Sequence, residues 1–412
     1  MFLSGYRILD LTDEKGYLCG RMLADLGADV IKVEKPGGDE GRNIGPFYHD
    51  EPHPEKSLYW WAYNANKRGI TLDLPSKDGQ ELLIKLIETG HCLIESFPVG
   101  YLESLGLDYQ TMSKINPKFV LVHITPFGSK GPWQDYKAND LIESALGGMM
   151  IWTGEPDKYP LRVNIPQSYM HAGGEASVAT TIALYHAEVT GQGQEVDISI
   201  LESWLATVAN TLANWEFHQD ILRREGKYRS GEAAQGVRMR NVWECKDGFV
   251  VSRIFGGGFG LKTNRGFTEW MREEGMINKL WQEMDWENFD MQKVTPELQA
   301  SLEDQLMKFL KTKTKEELYT RAVKDGIQVA PVCTPKDLVE NVQLKARGFW
   351  VEVEHPELGD KIIYPGSFAR VPGIDIGIRR RAPLIGEHNL EVYGELGLSK
   401  DELVALKEIG TT

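Results

Sequence analysis

The first 34 residues alternate between strand-like and helix-like patterns, and this alternation constrains the fold more than any other feature of the sequence. Residues Tyr6–Leu11 (YRILDL) have the alternation of a strand. Residues Gly16–Gly27 place leucine and methionine on one face of a short helix, and Asp29–Glu34 (DVIKVE) form a second strand. A strand, a helix and a second strand in this order predict an α/β fold with a Rossmann-like large domain.

The first turn of this unit lacks a dinucleotide-binding fingerprint. That fingerprint needs G-x-G-x-x-G between the strand and the helix, whereas the turn offers only Gly16 and Gly20. We therefore expect no NAD.

Later patterns predict a second, smaller α+β domain. Residues 241–254 contain two strands around an Asp247-Gly248 turn, and residues 261–322 are rich in helix patterns. A charged stretch at residues 218–235 reads as a linker. The predicted division is 1–220 for the first part of the large domain, 221–330 for the small domain and 331–412 for a C-terminal segment that returns to the large domain.

Composition argues against several classes of partner. The chain has 412 residues and a formal net charge of -14, which disfavours nucleic acid or an anionic membrane surface. It contains no run of about 18 apolar residues and no secretory signal pattern, so we expect no membrane span. The four cysteines are scattered singly, without C-x-x-C pairs or metal-ligand spacing, and we expect reduced thiols in a cytoplasmic protein without a metal.

The stretch 160–197 carries the most specific motif. A Pro-bounded segment, Pro160–Pro166, precedes a run of small residues that permits close backbone approach and predicts a buried helix facing a cavity. The stretch resembles a signature of the class III CoA-transferases, the formyl-CoA and carnitine CoA-transferase family, which reads P-x-x-D-x-x-x-G, then an apolar helix, then T-G-x-G-Q. The residues that match are Pro166, Gly173, Ala183, Leu184, Thr190, Gly191, Gly193 and Gln194. Tyr169 occupies the position of the aspartate.

The resemblance covers nearly the whole chain and implies a fold, substrates and a site. It implies an interlocked dimer, with each active site between the large domain of one chain and the small domain of the other. The substrates it implies are a coenzyme A thioester and a dicarboxylic acid, and the family's aspartate is the nucleophile that carries the acyl group and then CoA. The residues that match the family's CoA-site pattern are Lys35, Asn66, Lys67, Arg68, Phe97, Lys137 and Asp140.

Several positions depart from the family pattern. Tyr169 replaces the nucleophile, and the loop Thr12–Gly16 is one residue shorter than in the family. Ser96 and Ser104 stand where the family has an asparagine and often a basic residue. A phenol with a pKa of about 10 is mostly protonated at neutral pH, and its esters are poor acyl carriers for this exchange.

These departures predict a non-catalytic subunit of a heteromeric class III CoA-transferase, whose homologous partner subunit carries the aspartate. One alternative is an active homodimer that uses Asp140 or Glu175 as the nucleophile. Another is a non-enzymatic CoA-binding scaffold. His123 and His171 are candidates for general bases, although an isolated histidine is more often structural.

A run of glycines, Gly256, Gly257 and Gly258, predicts a mobile loop between Phe255 and Gly260. Some family members cover the reacting anhydride with a Gly-rich loop. The resemblance therefore implies a lid over the partner's active site, and a plain surface turn is the alternative.

Overall fold

The computed structural model describes residues 1–219, 221, 223–229 and 233–412, and the chain divides into two compact units. The first unit comprises Met1–Met149, Arg162–Gln219 and Val342–Thr412, and the second comprises Met150–Leu161 and Asp220–Asn341. This division assigns residues 150–161 to the second unit and ends that unit 11 residues later than the predicted boundary at 330. Residues 220, 222 and 230–232 of the predicted linker lie outside the described residues.

The first unit is built on a parallel six-stranded sheet. Its strands are β1 (Arg7–Leu11), β2 (Asp29–Glu34), β3 (Arg68–Thr71), β4 (Cys92–Glu95), β5 (Val120–Thr125) and β6 (Glu195–Ser199). They lie in the order β3-β2-β1-β4-β5-β6, and all neighbouring pairs are parallel. This is the Rossmann strand order, which reverses between β1 and β4 and opens a crevice at the carboxyl ends of those strands. The α/β fold and the Rossmann-like domain are confirmed.

Helices cover both faces of this sheet. The helices of the first unit up to residue 219 are α1 (Tyr17–Asp25), α2 (Leu58–Asn64), α3 (Lys77–Thr89), α4 (Tyr101–Ser104), α5 (Tyr109–Ile115), α6 (Asp140–Leu146), α8 (Gln167–Thr190) and α9 (Ile200–His218). The short helix α7 (Met149–Trp152) lies between α6 and α8 in the chain, where the residues of the second unit begin. Ile8 and Val30 pack in the cluster that includes α1 and α8, whereas Leu9 and Ile31 pack in the cluster that includes α3. Successive strand residues are therefore buried on opposite faces, as expected for a parallel sheet.

Gly173 explains why α8 lies so close to α1. An ideal Cβ at Gly173 would lie 2.8 Å from Cβ of Leu18 and 3.2 Å from the backbone nitrogen of Cys19. The expected close approach is therefore present. However, α8 is buried on one side only, because Val178, Ile182, Tyr185 and Val189 are exposed on the other.

The second unit has its own core. Its strands are β7 (Tyr228–Arg229), β8 (Met239–Arg240), β9 (Val242–Cys245), β10 (Gly248–Ser252) and β11 (Val329–Pro331), and its helices are α10 (Gly257–Glu273), α11 (Lys279–Glu283), α12 (Pro296–Leu310), α13 (Lys315–Asp325) and α14 (Pro335–Glu340). Strands β9, β10 and β11 form an antiparallel sheet. Buried Trp243, Trp281 and Phe309 belong to the hydrophobic cluster of this unit.

The C-terminal segment returns to the first unit. It contains α15 (Val342–Ala346), the antiparallel pair β12 (Trp350–His355) and β13 (Asp360–Pro365), α16 (Asn389–Glu395) and α17 (Lys400–Glu408). Tyr393 of α16 donates a hydrogen bond to the carbonyl of Thr71 over 2.7 Å. Within the described ranges, no helix has the length and apolarity needed to cross a lipid bilayer.

Candidate functional site

The crevice at the strand-order reversal is the first candidate site. Its volume is about 440 Å³, and residues that follow β1, β2, β3 and β4 line it. Lys35 and Phe97, both predicted CoA contacts, lie in this lining. The topology therefore brings two of the predicted residues to one place.

The crevice is acidic. Its lining contains six carboxylates and a single lysine, Lys35; the carboxylates are Asp13, Glu14, Glu34, Asp39, Glu40 and Asp73. Lys35 is exposed and hydrogen-bonds to Glu40. Burial and then the charge of Asp13 raise the pKa of Glu14 above its usual value. Four of the six carboxylates are paired with cations: Asp13 with Lys15, Glu34 with Arg42, Asp39 with Lys32 and Glu40 with Lys35. The one cation of the lining, Lys35, is thus already paired, which disfavours its use on the phosphates of an anionic ligand.

The two serine positions make contacts within the chain. The Ser96 hydroxyl accepts a hydrogen bond from the backbone of Asp13 over 2.8 Å and donates one to the Asp13 carboxylate over 2.8 Å. The Ser104 hydroxyl donates to the carbonyl of Tyr101 over 2.6 Å. Ser96 thus anchors the short loop after β1, and neither serine supplies a positive charge.

A neighbouring cavity of about 390 Å³ contains Lys137. Phe97 lines both this cavity and the acidic crevice, and its ring packs against Tyr101 with centroids 4.7 Å apart. Lys15 also lines the cavity and pairs with Asp13. The hydroxyl of Thr125 is buried, lies in the lining and has no hydrogen-bond partner among the described residues. Phe97 and Lys137 therefore stay candidates for ligand contact.

Lys67 is placed differently from the prediction. Its ammonium group is fully buried and donates to Asp10 Oδ2 over 2.7 Å, to Asn64 Oδ1 over 2.8 Å and to the carbonyl of Tyr17 over 3.0 Å. Burial lowers the pKa of Lys67 to about 8, although Asp10 opposes the change. All three donors are used, so the geometry favours a structural role over a CoA contact.

Asn66 and Arg68 also serve internal contacts. The Asn66 side chain donates to the carbonyl of Gly377 over 2.8 Å and accepts from the backbone nitrogen of Arg379 over 2.7 Å. Arg68 forms salt bridges with Asp29 and with Glu391 and Glu395 of α16. Both residues fasten the C-terminal segment to the sheet, and the predicted CoA contacts are not supported by this geometry.

Tyr169 lies in the first turn of α8 and is buried. Its hydroxyl accepts a hydrogen bond from the backbone nitrogen of Asp140 over 3.1 Å. Burial, followed by the nearby Glu143 carboxylate, raises the pKa of Tyr169 well above its usual value of 10. The phenol is therefore protonated at neutral pH.

The two alternative carboxylates, Asp140 and Glu175, lie in different surroundings. One oxygen of Asp140 accepts from the Ser168 hydroxyl over 2.9 Å, and the other pairs with Arg162 over 2.8 Å. Glu175 is exposed on α8. Asp140 thus links α6 to the start of α8 through its hydrogen bonds with Ser168.

Glu143 is a buried carboxylate that the sequence reasoning missed. Its side chain is fully buried, and neither of its oxygens has a hydrogen-bond partner in the part of the chain that the structure describes. Burial raises the pKa of Glu143 to about 7, and the charge of Asp140 adds to this increase. The nearby Ser168 hydroxyl opposes the increase only weakly, because it donates its hydrogen bond to Asp140 and not to Glu143. The spacing of three residues from Asp140 puts both acids on one helix face and is the signal that could have found Glu143.

The two histidines are structural. His123 of β5 lies between Glu95 and Glu195, with Nε2 3.1 Å from the Glu195 carboxylate. Burial lowers its pKa, but the two glutamates outweigh burial and raise the pKa to about 9. The charged imidazolium is not a base at neutral pH, and His171 packs its ring on Trp204.

The predicted Gly-rich loop is shorter than expected. Gly256 is the N-cap of α10 and Gly257 is its first residue, with φ of +73°. Gly258 and Gly260 lie within α10, so the prediction of a loop through Gly260 is wrong. An ideal Cβ at Gly257 or Gly258 would meet nothing within 4 Å, and Phe259 is 84% exposed. The start of α10 is therefore an open surface.

Comparison with known proteins places this geometry in a family. The profile described as CoA-transferase family III matches residues 3–389. The BbsE subunit of succinyl-CoA:(R)-benzylsuccinate CoA-transferase from Thauera aromatica is 34% identical over 99% of this chain and 97% of its own length. The succinyl-CoA–D-citramalate CoA-transferase of Chloroflexus aurantiacus is 29% identical over 98% of this chain and 96% of its own.

A solved structure agrees with the sequence comparison. The crystal structure of a CAIB/BAIF family protein from Brucella suis has a TM-score of 0.82 and 27% identity, and the match covers 95% of this chain and 98% of that chain. The resemblance inferred from residues 160–197 is confirmed. On this evidence, the chain belongs to CoA-transferase family III.

Proposed function

We propose that this chain is a non-catalytic subunit of a heteromeric class III CoA-transferase. The observation that carries the proposal is Tyr169, whose buried, protonated phenol lies where the family signature has aspartate. The homologous partner subunit supplies that aspartate. The proposed reaction moves CoA from succinyl-CoA to (R)-benzylsuccinate in anaerobic toluene breakdown, on the basis of the 34% identity to the BbsE subunit.

The chemistry explains why a carboxylate is needed. A carboxylate oxygen attacks the carbonyl of the donor thioester, CoA leaves as a thiolate, and a mixed anhydride forms. The thiolate then attacks the enzyme's side of the anhydride and releases the donor acid, which leaves CoA in a thioester on the enzyme. The acceptor carboxylate attacks this thioester, and the same two steps run in reverse. A neutral phenol cannot begin this sequence at neutral pH.

The surface of α8 supports association with another chain. Val178, Ile182, Tyr185 and Val189, here called the apolar row, recur at helical spacing and are between 58% and 71% exposed. Contiguous exposed apolar side chains mark interaction surfaces in soluble proteins.

The acidic crevice supports weak CoA binding by this chain, so the complex should bind CoA tightly at the partner's site only.

The test compares the chain alone with the assembled complex. The gene is expressed with and without genes for homologous chains that have aspartate at the Tyr169 position, and succinyl-CoA-dependent formation of benzylsuccinyl-CoA is measured. We expect no transfer by the isolated chain and transfer by a co-purifying pair. Tyr169→Phe should leave transfer by the pair unchanged, whereas loss of the partner's aspartate should abolish it. Robust transfer by the homogeneous isolated chain would contradict the proposal, and inactivity with every homologous chain would favour a scaffold.

Glu143 favours a second candidate, an active transferase with a displaced nucleophile. It is a carboxylate near Tyr169 without a hydrogen-bond partner among the described residues, although full burial keeps it from a thioester in this conformation. Incubation of the chain with succinyl-CoA, followed by hydroxylamine trapping and mass spectrometry, separates the two candidates. An adduct on Glu143 that disappears in Glu143→Gln would establish the second candidate.

A further inference from the structure

A cavity in the C-terminal segment, remote in sequence from the residues discussed above, has the composition of a ligand site. Its volume is about 610 Å³, and it lies between the segment that leads into β12 and the segment that follows β13. A volume of about 300–1,000 Å³ is usual for small-molecule sites. The whole lining belongs to the first unit.

One side of this cavity is apolar. Phe349, Val351, Ile374, Ile376 and Ile378 contribute to it. Ile376 and Ile378 are largely buried, so the surface they present to the cavity is supported from behind. Such a wall suits an aryl or branched alkyl group.

The polar part of the lining is cationic. Arg347 and Arg370 lie in the lining with a single carboxylate, Asp375. Across the described ranges, neither arginine forms a salt bridge or a side-chain hydrogen bond. Both arginines are exposed, and two guanidinium groups in one cavity favour an anion between them.

Backbone contacts fix the two segments that carry these residues. The backbone nitrogen of Gly366 donates to the carbonyl of Phe349 over 2.7 Å. An ideal Cβ at Gly377 would lie 3.0 Å from Cβ of Ser367, and one at Gly348 would lie 3.5 Å from Nη2 of Arg370. The guanidinium of Arg370 therefore lies against the segment that contains Arg347.

We propose that this cavity binds a small amphipathic carboxylate, with its apolar group on the wall of Phe349 and Ile376 and its carboxylate on Arg347 and Arg370. Guanidinium groups bind carboxylates through paired hydrogen bonds, which an ammonium group cannot form. The site belongs to this chain alone and does not depend on the proposed transferase role.

The test is direct binding to the full-length chain, measured by isothermal titration with three probes of one shape. These are 3-phenylpropionate, 3-phenylpropan-1-ol and 3-phenylpropylamine. We expect 3-phenylpropionate to bind, the alcohol to bind at least tenfold more weakly and the amine not to bind. Equal binding of the acid and the alcohol, or no binding of the acid at 20 mM, would overturn the proposal.

Substitutions in the lining test whether 3-phenylpropionate binds in this cavity. Arg347→Gln and Arg370→Gln should each weaken 3-phenylpropionate binding about tenfold, and Asp375→Asn should strengthen it. Arg265→Gln, which breaks an exposed pair with Glu287 in the second unit, is the matched control and should have no effect. Undiminished binding by the folded Arg347→Gln/Arg370→Gln double variant would show that the acid binds elsewhere and would refute the proposal.

Discussion

At the scale of single residues, Glu143 affects the protonation of Tyr169. The carboxylate of Glu143 raises the pKa of Tyr169, and burial raises the pKa of Glu143 itself to about 7. A buried carboxylate without a hydrogen-bond donor is costly when charged. Burial therefore favours the protonated form of Glu143.

Glu143→Gln is expected to change how stability depends on pH. The folded state raises this pKa from 4.5 to about 7, so in that interval the folded protein holds a proton that the unfolded chain releases. The stabilisation is complete below pH 4.5 and is lost as pH rises to 7, by about 2–3 kcal/mol. The glutamine side chain does not ionise, so the free energy of unfolding of Glu143→Gln should not fall in this pH interval.

Urea unfolding at pH 5 and pH 8 is the measurement. The Gln variant should be close to the wild-type protein at pH 5 and more stable by about 2 kcal/mol at pH 8. Glu188→Gln, an exposed substitution on α8, should leave the pH profile unchanged. Identical profiles for wild type and Glu143→Gln would show that Glu143 is solvated.

At the scale of elements, the contact of α1 with α8 depends on one of two adjacent glycines. Gly173→Ala would place a Cβ 2.8 Å from Leu18 Cβ, and overpacking of this kind costs about 1–3 kcal/mol. Gly174→Ala meets nothing within 4 Å and should stabilise the helix by up to about 1 kcal/mol. The free energy of unfolding of both variants, measured by chemical denaturation, checks this prediction. Equal values would mean that α1 shifts to accommodate the extra methyl group.

The start of α10 gives a second prediction for an element. Proline cannot adopt the positive φ of Gly257, so Gly257→Pro should change the backbone conformation at the start of α10. If the turn covers the partner's reaction centre, transfer by the complex should fall on the order of tenfold and wasteful thioester hydrolysis should rise, with assembly intact. Gly258→Ala, which meets open space, is the control. Unchanged transfer and hydrolysis in Gly257→Pro would make this a surface turn.

Sequence patterns predicted elements better than they predicted contacts. The βαβ start, the small-residue helix and the family followed from periodicity and motif. Gly148, with φ of +83°, separates α6 from α7, since a left-handed residue cannot continue a helix, and hydrophobic periodicity does not show such a break. The sequence did not show that Lys67 is buried beside Asp10, because this contact joins residues far apart in the chain, and Glu143 was missed because its burial depends on tertiary packing.

At the scale of the whole molecule, the apolar row on α8 makes assembly testable. Ile182→Glu places a charge in the middle of the row and should reduce recovery of the partner subunit at least tenfold in co-purification. Because Ile182 is 62% exposed, the melting temperature of the isolated chain should change little. Glu188→Gln on the same helix should preserve assembly. Normal recovery with Ile182→Glu would place the interface elsewhere.

The apolar row also has a consequence for synthesis of the protein in the cell. A chain released from the ribosome without a counterpart presents four adjacent apolar side chains to every other protein nearby, and such surfaces promote aggregation and proteolysis. Surplus copies would be lost, so the amount of useful protein would follow the scarcer of the two subunits. For the proposed heteromer, the surface of a single helix would therefore require matched translation of both genes, for example from one transcript.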